Sequence, residues 1–209
     1  MKFYMIYSNQ FAIGNKPIGI ASLAAVLKKA GHQFRLFDCT KYSVLKPNEE
    51  FTDWNLSGEE ILQFMRTRNN ERMPIREKVT YDWLIGKVIA DIDSYKPDMI
   101  GLTALSDDYP LGLRIMEKVK KTFSKIPTVC GGVHATIDPE GVISEKCFDM
   151  VCVGEGEYVI LDLAKRVEEK RDFFKIKNLW IKRKNGSIEK NPVRPYEQNL
   201  DTFPYPDWS

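Results

Sequence analysis

Residues 3–7 read Phe-Tyr-Met-Ile-Tyr, an unbroken apolar run. It is too short to cross a bilayer or to serve as the core of a signal peptide. It also lacks the apolar–polar alternation of a half-exposed strand, so it predicts a strand buried on both faces. Strands of that kind belong to parallel sheets with helices on either side, and the rest of the chain repeats the theme. Pro17 suits the first turn of a helix, Ile20, Leu23, Ala24 and Leu27 follow at helical spacing, and Gly31 supplies the stop. Phe34 to Phe37 is a second strand and Met99-Ile100-Gly101-Leu102-Thr103 a third. Leu111, Ile115, Val119 and Phe123 form one helix face, and Thr128-Val129-Cys130 is a fourth strand running into Gly131-Gly132. Asp138-Pro139-Glu140 reads as a helix cap with proline at the first position. Met150 to Val153 is a fifth strand, and Ile160, Leu163, Ala164 and Val167 stripe the helix after it.

Five such strands joined by right-handed crossovers predict an α/β, flavodoxin-like (Rossmann-like) doubly wound parallel sheet of order 2-1-3-4-5. Residues 1–172 would form this domain. Its crossover 39–96 is longer than a minimal fold needs, with a candidate helix over 59–65 and a firmer one carrying Leu84, Val88 and Ile92. Beyond residue 172 the pattern changes. Leu179-Trp180-Ile181 and Ser187-Ile188 flank Asn185-Gly186, which predicts a β-hairpin with a two-residue turn. Residues 191–209 hold four prolines and little periodicity, as a strap or linker would.

Composition limits the function. The chain has 209 residues, 43% hydrophobic and 29% charged, with a net charge of +2. That balance supports one sizeable core and argues against nucleic acid or a membrane surface as partner. The cysteines Cys39, Cys130, Cys147 and Cys152 make no Cys-x-x-Cys pair, and only His32 and His134 could assist them. Neither a zinc site, an iron–sulfur cluster nor a disulfide framework is expected from this chain, and a cytoplasmic location follows.

In an open parallel sheet, ligands bind beyond the carboxyl ends of the strands at the point where strand order reverses. The loops there are rich in small residues. Ser8 to Gly14 follows the first strand, Thr103-Ala104-Leu105-Ser106 closes the third, Gly131-Gly132-Val133-His134 the fourth, and Gly154-Glu155-Gly156-Glu157 the fifth. Glycines let a large ligand approach the backbone, and helix N-termini add donors for a phosphate. Gly154-x-Gly156 lacks the third glycine and the first-strand position of a dinucleotide fingerprint. Glu155 and Glu157 also suit the positive end of a helix dipole. A phosphoacceptor domain would need an acidic pair after the first strand, which is missing although Asp107 and Asp108 follow the third.

The motifs resemble the cobalamin-binding N-terminal domain of radical S-adenosylmethionine enzymes. They are Pro17-Ile18-Gly19 with Leu23-Ala24-Ala25-Val26-Leu27 and Gly31-His32, Lys96-Pro97-Asp98-Met99-Ile100-Gly101, and Gly131-Gly132-Val133-His134-Ala135-Thr136. Asp149-Met150-Val151-Cys152-Val153-Gly154-Glu155-Gly156-Glu157 and the closing Leu200-Asp201 to Pro204-Tyr205-Pro206-Asp207 complete the set. The resemblance implies cobalamin contacts at Asn9, Phe11, Gly14, Pro17, Thr103, Ala104, Leu105, Ser106, Gly131, Gly132, Val133, His134, Gly154, Glu155, Gly156 and Glu157. It also implies a catalytic domain in cis, which holds S-adenosylmethionine and a 4Fe–4S cluster and performs methyl transfer or ring formation.

Two departures qualify the expectation. Cobalamin domains of the mutase type carry Asp-x-His-x-x-Gly after the first strand, whose histidine ligates cobalt. Here Asn9-Gln10-Phe11-Ala12-Ile13-Gly14 keeps the glycine and puts Phe11 at the histidine position, which implies a cobalamin without a protein histidine on cobalt. The family's Cys-x-x-x-Cys-x-x-Cys run is also absent. The expectation is therefore a cofactor module, either an N-terminal segment of a larger enzyme or a stand-alone homologue, that generates no radicals by itself. The alternative is the same fold without cobalamin, binding substrate or packing against a catalytic domain.

Overall fold

The computed structural model describes residues 1–9, 17–45 and 77–208. The helix expected over 59–65 lies outside them. The main sheet follows the order β2-β1-β5-β6-β7-β8-β9. Here β1 is Lys2–Tyr7, β2 Gln33–Asp38, β5 Met99–Thr103, β6 Thr128–Gly131 and β7 Met150–Cys152, and β8 Leu179–Lys182 and β9 Ile188–Lys190 follow. The first five are parallel in the expected 2-1-3-4-5 order. The last two run antiparallel, so the hairpin extends the sheet at its β7 edge. Its connection is a three-residue loop, not the two-residue turn that Asn185-Gly186 suggests. Arg183 N–H donates to Ser187 O, and Gly186 takes a positive φ and donates to Arg183 O at 2.9 Å.

Side chains alternate across the sheet and divide the core in two. Tyr4 and Ile6 point toward α2 (Tyr81–Tyr95), α3 (Tyr109–Thr122), α4 (Val133–Ile137) and α5 (Pro139–Ser144). The stripe Leu84, Val88, Ile92 of α2 is fully buried there. Phe3, Met5 and Tyr7 face the other way, toward α1 (Ile18–Lys29) and α6 (Glu157–Glu168). Caps explain several boundaries. Thr80 accepts from Trp83 N–H to start α2, and Asp138 accepts from Gly141 N–H to start α5. Within the long crossover, β3 (Tyr42–Leu45) and β4 (Glu77–Thr80) pair in parallel as a small second sheet. Among the described residues no helix is long and apolar enough to cross a membrane.

Candidate functional site

The parallel strands end level with one another. Tyr7 pairs with Thr103, and Thr103 with Gly131. Between β1 and β5 the strand order reverses, and under that edge lies a cavity of about 720 Å³ between the sheet and the helices α1 and α6. Its rim holds Pro17, Thr103, Ala104, Leu105, Gly131, Gly132, Val133, Gly154, Glu155, Gly156 and Glu157. Its walls descend through Tyr7, Met5 and Phe3 of β1, Gly101 of β5 and Val129 of β6, against Ile20 and Leu23 of α1 and Ile160 and Leu163 of α6. The depth follows from alternation. Phe3 and Tyr7 share a face four residues apart, roughly 13 Å along a strand.

The rim is braced by glycines and one threonine. Gly132 has φ +95°, and a Cβ there would lie 2.7 Å from Thr103 Oγ1 and 3.0 Å from Ala104 O. Only glycine allows that turn beside β5. At Gly131 a Cβ would meet only Cys152 Cβ, at 3.7 Å. Thr136 Oγ1 donates to Gly132 O and accepts from Gly154 N–H, both at 3.0 Å, tying the loops after β6 and β7 together. Behind the β7 loop, buried Asn178 donates to Val153 O and accepts from Arg194 N–H, both at 2.8 Å. This residue escapes sequence reading, because a lone asparagine before a strand carries no motif.

The chain after β9 runs back over α6 and α1 as a strap. Tyr158 O–H donates to Glu197 Oε2 at 2.6 Å, Arg194 pairs with Asp162 at 2.5 Å, and Glu197 N–H donates to Glu155 Oε2 at 3.2 Å. It then crosses to α1, where Asp207 N–H donates to Ala21 O and Lys28 pairs with Asp207 at 2.6 Å. Tyr196 of the strap reaches the cavity mouth.

Asn9, Ser106 and His134, three of the expected site residues, stand outside the lining. Asn9 is buried and donates to the Tyr7 hydroxyl at 2.9 Å. His134 lies over the Tyr109 ring with centroids 4.0 Å apart, its Nδ1 3.2 Å from Ser106 Oγ. His32 sits at the far end of the sheet beside the Met1 amino group. Neither histidine lines the cavity. Phe11 and Gly14 lie outside the described residues. Burial raises the Tyr7 hydroxyl above its ordinary range and pushes the Cys152 thiol up to about 12, so both are protonated at neutral pH. Among the described residues, the charged side chains on the lining are Glu155 and Glu157, both at the α6 side.

A site of this size and largely apolar lining accepts a large organic ligand with a few polar anchors, not a bare metal ion. Residues 79–164 match the family model of the B12 binding domain. That segment carries β5, β6, β7 and the rim loops after them, and the match agrees with the resemblance read from the motifs. An uncharacterized methyltransferase of Pyrococcus horikoshii is 28% identical over 142 residues, 68% of this chain and 31% of the relative. The anaerobic magnesium-protoporphyrin IX monomethyl ester cyclase of Rubrivivax gelatinosus is 29% identical over 136 residues, 63% and 24% of the two chains.

The fold is shared with the cobalamin-dependent S-adenosylmethionine radical enzyme OxsB, solved with aqua-cobalamin and S-adenosylmethionine bound. The TM-score is 0.64 at 15% identity, over 93% of this chain and 22% of that one. The radical S-adenosylmethionine methyltransferase TsrM from Kitasatospora setae, solved with cobalamin and a 4Fe–4S cluster bound, gives a TM-score of 0.61 at 15% identity. The alignment covers 98% of this chain and 31% of that one. The chain spans less than a third of the length of each of these four proteins.

Proposed function

We propose that this chain binds cobalamin and serves as the cofactor module of a radical S-adenosylmethionine enzyme whose catalytic domain lies in cis. The observation that carries this reading is a deep, glycine-rimmed cavity at the switch point, whose β5, β6 and β7 side comes from the segment that matches the B12 binding domain. The nucleotide tail would enter beside Thr103–Leu105 and Gly131–Val133, and the corrin would lie across the strand ends. Glu155 and Glu157 repel a phosphodiester from the α6 side of the mouth. The phosphodiester would then lie toward the N-terminus of α1, whose first turn has no acidic residue.

Bound cobalamin supplies a cobalt centre able to accept and donate methyl groups, in keeping with a parent enzyme of methyl transfer or ring formation. The chain's own residues bind and orient. Apolar walls exclude water from the tail, Thr136 holds two rim loops in register, and Asn9 fixes the Tyr7 hydroxyl. Both histidines are engaged away from the lining, so no imidazole of this chain is assigned to cobalt. Asn9, Ser106 and His134 then act as supports of the rim rather than as contacts.

The test is to mix the chain with excess hydroxocobalamin, desalt it, and record the visible spectrum with a cobalt-to-protein ratio. Close to one equivalent without a histidine-ligated signature is the expected result. If titration at high cobalamin also shows no binding, the cofactor-free alternative holds.

A further inference from the structure

We propose that the cavity selects among cobamides by the polarity of their lower base, taking benzimidazolyl or phenolyl forms and rejecting purinyl ones. The inference rests on the tail placement proposed above, which would bring the base to the cavity floor. That floor is formed by Phe3, Met5, Gly101, Val129, Ile160 and Leu163, whose side chains offer neither a hydrogen-bond donor nor a strong acceptor. The strand backbones beneath are paired with each other, Met5 with Gly101 and Gly101 with Val129.

The polar side chains of the lining, such as Tyr7, Thr103 and Thr136, stand at or beyond the strand ends and not on this floor, and some of them are already engaged. The Tyr7 hydroxyl accepts from Asn9, and Thr136 Oγ1 serves both Gly132 and Gly154. Cys152, at the end of β7, keeps its proton and lies 3.9 Å from Glu155 O. An adenine carries ring nitrogens and an exocyclic amine that are hydrated in water and would be stranded on this floor. A dimethylbenzimidazole is planar and of similar size, but off cobalt it strands a single ring nitrogen and presents methyl groups where adenine carries its amine and further ring nitrogens. The Phe3 ring and the Met5 sulfur offer it aromatic and thioether contacts. Size does not separate the two bases; the missing partners do.

Dissociation constants for cobalamin, adeninylcobamide, phenolylcobamide and cobinamide, measured on the same chain by titration, test this directly. Adeninylcobamide is expected to bind on the order of ten- to a hundred-fold more weakly than cobalamin, the cost of unpaired buried polar groups. Phenolylcobamide is expected to stay within about three-fold of cobalamin, the scatter of a contact that loses no hydrogen bond. Equal affinity for the adeninyl and benzimidazolyl forms overturns the selectivity while leaving cobalamin binding intact. A phenolyl form bound as weakly as the adeninyl one removes polarity as the criterion. Cobinamide, which lacks the nucleotide, bound as tightly as cobalamin means that the base is not in the cavity. No binding of any probe overturns the cofactor reading itself.

Discussion

At Gly132 the chain turns with φ +95° where a methyl group would press on Thr103 Oγ1 and Ala104 O, whereas at Gly131 a methyl group touches only Cys152 Cβ at an ordinary 3.7 Å. The two glycines therefore answer different questions. Gly132→Ala should cost about 2–4 kcal/mol of stability through backbone strain and overpacking, read by urea unfolding. Any loss of ligand it causes would follow from that. Gly131 shares a face with Val129 two residues earlier, so a side chain there points into the cavity. Gly131→Leu should fold with near-normal circular dichroism and melting temperature yet weaken cobalamin binding by about ten-fold or more, since the branch occupies ligand space. A Gly131→Leu protein that binds cobalamin like the parent would show that the tail does not pass beside β6.

Among the elements, the exit of β7 depends on a residue that no motif announces. Asn178 takes φ +66°, donates to Val153 O, and accepts from Arg194 N–H, joining β7, β8 and the strap. Asn178→Ala should destabilise the fold by about 2–4 kcal/mol through buried, unpaired partners and a left-handed backbone. Asn178→Gly should recover about 1 kcal/mol of that, because glycine tolerates the dihedral. An alanine variant within about 0.5 kcal/mol of the parent in urea would mean the strap re-forms these bonds unaided. Four of the five parallel strands are legible in the sequence as apolar runs followed by small residues and a helix, whereas β2 at the sheet edge mixes polar and apolar residues and is read from Phe34 to Phe37 after the Gly31 stop. The edge taken by the hairpin is not, since Leu179-Trp180-Ile181 announces a strand but not that Met150–Cys152 will pair with it. The same division holds at the site. The rim is legible as glycines after strands, whereas Phe3, Met5, Val129, Ile160 and Leu163 on the cavity wall are the residue types a filled core uses. His134 draws attention as a rim histidine, but its ring is spent on Tyr109 and Ser106, a tertiary contact beyond the reach of local pattern.

Across the whole molecule, the two ends of the sheet have separate tasks. The carboxyl ends of the strands build the cavity, and the opposite end gathers the chain start, the turn before β2 and the end of α6. His32 Nδ1 lies 3.1 Å from the Met1 amino group, which donates to it, and 3.4 Å from Glu168 Oε1. Burial lowers the pKa of this imidazole below 6.5 and the ammonium lowers it further, with Glu168 opposing both. Below pH 6.5 the unfolded chain therefore binds a proton that the folded chain resists, and stability rises with pH in that interval. The contribution of His32 is fully present above pH 6.5 and is lost as pH falls through the folded value. Urea unfolding between pH 5 and 8 should show this as a loss on the acid side. His32→Gln, which can still accept from the Met1 amino group and carries no titrating ring, should flatten that part of the profile. Equal slopes in the two proteins between pH 7 and 5 would mean that His32 does not set the acid sensitivity there; carboxylates such as Glu197, whose pKa is lowered by the Tyr158 hydroxyl, act only near and below pH 4.5.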